Sequence, residues 1–93
     1  MIFPVKRLMI DNDGYRRNIS LKTIYINSAS IISISDYHGI SDFLLREKSD
    51  FSENLFSLVR LNNTTDDIIV LGTAEEVYSQ IQESQSGKQI LND

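Results

Sequence analysis

Leu58-Val59-Arg60-Leu61, Asn62-Asn63-Thr64-Thr65-Asp66-Asp67, Ile68-Ile69-Val70-Leu71 and Gly72-Thr73-Ala74-Glu75-Glu76-Val77-Tyr78 follow one another within residues 55–81. They read as strand, turn, strand and helix. Leu58 and Arg60 alternate with Val59 and Leu61, as a half-buried strand requires. The six residues 62–67 are all turn formers, and the apolar run 68–71 is a short returning strand. Thr73 can cap a helix, and Glu76 three residues later completes a capping box. Behind the cap, Ala74, Val77, Tyr78 and Ile81 fall at i, i+3, i+4 and i+7, a spacing that predicts one apolar face packed on the sheet.

Working outward, residues 5–10 read as a first strand and Asp11-Asn12-Asp13-Gly14 as its turn. Residues 15–26 alternate as a second strand, expected to break near Lys22-Thr23. Asn27-Ser28-Ala29-Ser30 is a polar turn. Residues 31–36 resume as a strand with Ile32 and Ile34 in step and Ser33 and Ser35 opposite. From 37 to 54 the pattern is lost. Ser41-Asp42 can cap a short helix there, but the stretch reads as a long connection, and such connections are commonly functional or mobile. The expectation is a β-rich α+β domain over residues 1–84: about five antiparallel strands, as a small barrel or a curled sheet, with one C-terminal helix. Residues 85–93, rich in Gln, Ser and Gly, are expected to form a flexible tail.

Ile24-Tyr25-Ile26-Asn27, then Ile31 and Ile34, then Ile68-Ile69-Val70-Leu71 leading into Thr73-Ala74-Glu75-Glu76-Val77 resembles the FlbD-like family. These are small bacterial proteins tied to flagellar and swarming motility, with similar short proteins in phage genomes. The resemblance covers about half of the chain and rests on a strand ending, an isoleucine-spaced strand and a hairpin feeding a helix. The chain departs from that pattern at residues 37–54 and at Asn62-Asn63-Thr64-Thr65, where a tight Asn-Gly or Asp-Gly turn is expected. The resemblance implies a bacterial or phage accessory role and no particular chemistry.

Ninety-three residues make one domain with a thin core. The chain has no cysteine, so disulfides, thiol catalysis and cysteine metal sites are excluded. The basic start of residues 1–7 is unlike a signal peptide, and no stretch approaches the length of a membrane span. A cytoplasmic protein with no membrane partner is expected. The net charge of −4 is uneven. Residues 1–22 hold five bases against two acids, and the remainder holds four against eleven. Such a split marks two faces with different partners, or a hairpin whose solvent face is basic.

Chemistry is sparse. His38, the single histidine, lies beside Asp36 and Asp42 without a nucleophile motif, the ordinary content of a surface loop. Asp11-Asn12-Asp13-Gly14 fails as a calcium loop, because Met9 and Ser20 fall where the first and last ligands belong. Asp66 and Asp67, adjacent on a strand, point to opposite faces. No catalysis, cofactor or metal is expected. Two binding readings remain. The favoured one is a non-catalytic protein-interaction or regulatory module. It would use Phe43, Leu44, Leu45, Phe51 and Phe56, more large apolar groups than a loop needs. The alternative is single-stranded nucleic-acid binding through Lys6, Tyr15, Arg16, Arg17 and Lys22 of the basic hairpin, where cations would meet phosphates and aromatics would stack bases. Self-association to a homodimer is also expected, through the uncharged strands 31–35 and 68–71 if either lies at an edge.

Overall fold

Two twelve-residue strands, β1 (Ile2–Asp13) and β2 (Arg16–Asn27), form a continuous antiparallel hairpin in the computed structural model, which describes residues 1–91, with side chains except those of Asp13 and residues 84–91. Its register runs unbroken from Ile2 opposite Asn27 to Asp13 opposite Arg16. The expected break near Lys22-Thr23 is absent, because Lys22 and Thr23 pair regularly with Arg7 and Lys6. The turn sits later than expected, at Gly14-Tyr15. Gly14 has φ +62° and Tyr15 does not enter positive φ, the arrangement of a II′ turn that matches strand twist.

After a 3-10 turn (Ser28–Ser30) come β3 (Ile31–Tyr37), a short helix α1 (Ser41–Arg46), β4 (Phe56–Leu61), β5 (Ile68–Leu71) and helix α2 (Ala74–Leu91). The strands form one antiparallel sheet in the order β2-β1-β5-β4-β3. The sheet is open, so of the two forms expected it is the curled sheet and not the barrel. Its curl follows from connectivity. The edge strands β2 and β3 are joined by three residues, whereas four steps of about 4.8 Å would set them roughly 19 Å apart in a flat sheet. Four residue steps reach about 14 Å fully extended, and less in a 3-10 helix. The edges must therefore swing toward each other at that end. Backbone bonds from Ser28 N–H to the Met1 carbonyl and from Asn62 N–H to the Ser30 carbonyl, both 2.8 Å, pin the junction.

Both faces of the sheet are covered. On one, Phe3, Val5, Ile26, Val59, Ile68 and Val70 bury against Val77 and Ile81 of α2. The helix begins as its sequence predicts. Glu76 N–H donates to Thr73 Oγ1 and Thr73 N–H to Glu76 Oε1, each at 3.2 Å. Asp36 adds a third anchor, accepting from Ala74 N–H at 2.8 Å. Tyr78 departs from the expected packing and stays exposed. Helical backbone continues to Leu91, through most of the stretch assigned to a tail. Gln85, Lys88, Gln89 and Leu91 are sound helix formers, and propagation past an established nucleus is favourable. The end of that expected tail, residues 92–93, lies outside the described residues.

The opposite face is covered by residues 37–54. Ile40 and Leu44 bury against Leu8 and Phe56, with Phe43, Phe51, Ile19, Leu21, Ile69 and Leu71 packed around them. The cap expected from Ser41-Asp42 does not form: both residues lie inside α1, the cap position is Ile40, and no side chain caps the first turn. It ends with Ser49 N–H bonded to the Leu44 carbonyl and Lys48 N–H to the Leu45 carbonyl. Lys48 takes the left-handed conformation, φ +53°, that glycine usually supplies at such a stop. The distal hairpin leans onto this layer. Arg17 meets Glu47 at 2.7 Å and lies over the Phe43 ring, 5.6 Å from its centroid.

Candidate interaction surface

A groove with an apolar lining lies along β3 where α2 passes it. β3 is an edge strand, bonded to β4 on one side only. Among the described residues no other strand and no connecting backbone bond occupies its outer side. Its register slips between Ile31 and Ser33, a bulge that leaves Ile32 without a partner on β4. Ile31 pairs with Leu61 and Ile34 with Val59, so these two turn toward the α2 layer. The expected pairing of Ile32 with Ile34 on one face is thereby overturned, since the extra residue breaks the alternation. Ile32 is 61% exposed. On α2, Tyr78 is 55% exposed for a related reason: Val77 and Ile81 already fill the space over the sheet.

Ile32 and Tyr78 are walls of one groove of about 430 Å³, with Ile31, Ile34 and Ala74 also lining it. Glu75 stands at its rim, and Asp36 is exposed on the same strand. Neither carboxylate is in an ion pair with a described residue. Among the described residues the ion pairs are Arg17–Glu47 at 2.7 Å and Arg60–Asp67 at 3.2 Å. A larger hollow of about 550 Å³ runs along α2 beside Glu75, Glu76 and Glu83. Its charged lining suits water better than a packed contact.

The residues singled out from sequence are placed differently. Leu44 (0% exposed) and Phe56 (3%) are core, and so cannot form a contact patch; Phe43 and Phe51 are half-buried around them, and Leu45 alone is exposed. Their apolar excess exists because the sheet has a second face to cover. The basic candidates do not converge. Residues paired across the hairpin share a face, which puts Lys6 (opposite Thr23) and Arg17 (opposite Asn12) on one side and Lys22 (opposite Arg7) and Arg16 on the other. Tyr15 is fully exposed at the turn. Arg17 is engaged by Glu47, and Lys6 donates to Thr23 Oγ1 at 2.6 Å. Arg7, not singled out from sequence, faces Lys22 directly.

Strand 68–71, expected as a possible edge, is central, flanked by β1 and β4, whereas 31–35 does lie at an edge. His38 is exposed. Among the described residues, no group of three or more His, Asp or Glu side chains could hold a metal ion, and no helix is long and apolar enough to cross a membrane. Ile32 and Tyr78 were missed as surface residues because each sits in an apolar pattern that places it inside. Comparison with protein families, curated proteins and solved structures gave no match.

Proposed function

We propose that this chain is a non-catalytic protein-interaction or regulatory module, acting in the cytoplasm on a larger assembly as a bacterial or phage accessory protein. Kinship with the FlbD-like proteins belongs to the same proposal. One observation carries the reading: the groove in which Ile32 and Tyr78, both more than half exposed, stand beside an unpaired strand edge. Large exposed side chains gathered in one concavity mark contact surfaces far more often than the same groups scattered singly. The test compares the wild-type chain with an Ile32→Lys/Tyr78→Ala variant as bait, after both melt at the same temperature. A partner held by the wild type and lost by the variant supports the reading. Equal retention removes this groove from the interface.

A second reading draws on a different observation. Arg7 and Lys22 are like charges directly opposite on one sheet face, a destabilising pair with no carboxylate in salt-bridge range among the described residues. A single-stranded nucleic acid would relieve that repulsion, with Arg16 further along the same face. The overall charge of −4 weighs against it. Micromolar oligonucleotide binding that falls steeply with salt and is lost in Arg7→Glu/Lys22→Glu would replace the protein-binding reading.

A further inference from the structure

The protein-binding reading leaves the partner's chemistry open, and the groove narrows it. An edge strand offers a row of backbone donors and acceptors that only another extended chain can match. Beyond the bulge at Ile32, β3 pairs regularly with β4 from Ser33 to Tyr37, so a regular edge remains for an incoming strand. Ile32 and Tyr78 supply an apolar seat beside that edge. Glu75 at the rim and Asp36 on the strand make the surroundings acidic, with no cation in salt-bridge range among the described residues.

We infer that β3 receives an extended, lysine- or arginine-bearing segment of a partner protein as a sixth strand, with an apolar side chain on Ile32 and Tyr78 and a base facing Glu75. This rests on the protein-binding reading above and adds the partner's conformation and charge. A second copy of the chain fits less well. Two-fold pairing of β3 with itself would bring two sets of Asp36 and Glu75 into one interface, where like charges repel. The opposite edge makes a useful contrast: β2 carries Arg16, Arg17 and Lys22, the charges by which natural sheets discourage strand addition. β3 carries none before Asp36.

The test uses the full chain, isotope-labelled for amide spectra, and blocked peptides of about ten residues in which one strand face alternates valine with lysine, or valine with glutamate, and threonine fills the other face. The lysine peptide is expected to shift the amides of residues 32–36 and slow their exchange, and to bind about tenfold tighter than the glutamate peptide. Glu75→Lys should erase that preference, and Ile32→Lys should abolish binding of both. Silent β3 amides at millimolar lysine peptide would overturn the inference. So would shifts confined to the Arg7–Lys22 face, or β3 protection that rises with protein concentration alone alongside a doubled mass. The last result would give the edge to a second copy. A natural partner lost in Ile32→Lys/Tyr78→Ala while the peptides stay silent would overturn strand addition and leave the protein-binding reading intact.

Discussion

Among the described residues Ser57 is the one buried polar side chain in the core, 0% exposed, and its hydroxyl has no hydrogen-bond partner. Its position in the sheet explains why. Across the strands it faces Asp36 on β3 and Val70 on β5. The Val70 side chain can accept nothing. The Asp36 carboxylate is turned to the helix, accepting from Ala74 N–H at 2.8 Å. A buried hydroxyl without a partner costs about 1–3 kcal/mol in lost hydration. Ser57→Ala removes that cost and loses only the contacts of one oxygen, a few tenths of a kcal/mol. The expected net effect is a gain of about 1 kcal/mol, or roughly 4–8 °C in melting temperature for a domain of this size. Thermal melts and urea titrations measure it, with an unchanged urea slope showing that stability alone has moved. Ser35→Ala, at an exposed position of the neighbouring strand, is the control and should stay within about 0.5 kcal/mol of wild type. A loss of 1 kcal/mol or more in Ser57→Ala would show that the hydroxyl is bonded after all and refute the reasoning.

Three further outcomes are expected. Leu44→Ala should cost about 2–5 kcal/mol in a urea titration and Leu45→Ala under about 0.5, since one is fully buried under the sheet and its neighbour is exposed; similar losses would mean that α1 is rotated from the orientation described. Lys48→Gly should stabilise by up to about 1 kcal/mol, because the residue holds φ +53° where a side chain is strained; a lower melting temperature would contradict that backbone. Asp36→Ala and Thr73→Ala should each cost about 1 kcal/mol by removing one acceptor from the start of α2. Hydrogen exchange should then quicken at Ala74 in the first variant and at Glu76 in the second.

What could be read from sequence was whatever rests on local chemistry. The capping box of Thr73 and Glu76 forms as its spacing requires, and Val77 and Ile81 bury as a helical stripe should. Tyr78 shares that stripe and stays out, because the curled sheet offers α2 a narrow seat. The features that escaped are those with no local mark. Helix α1 starts without a side-chain cap and stops on Lys48 where a glycine would have announced the end. The bulge at Ile32 adds one residue to a strand, and a two-residue period cannot show on which side of that residue the count restarts. Strand 68–71 looked like a bare edge because it carries no charge. That same lack of charge is what a central strand covered on both faces displays.

The candidate site follows from that last distinction. Charge-free strands belong in the middle of a sheet or at an edge that something covers, and the chain has one of each. β5 lies between two neighbours, with Ile68 and Val70 buried on one face and Ile69 and Leu71 packed on the other. Its composition is fully accounted for by its place. β3 has a similar run of isoleucine and serine with one face against α2, but among the described residues no strand lies on the side away from β4. Its defences are a bulge and a single aspartate engaged by the helix. β2, at the other edge, carries three charges over twelve residues, against one over the seven of β3. Were both edges merely exposed, the same pressure against aggregation would act on both and leave similar marks. The asymmetry between them is the reason to look for a partner at β3 and not along the basic hairpin.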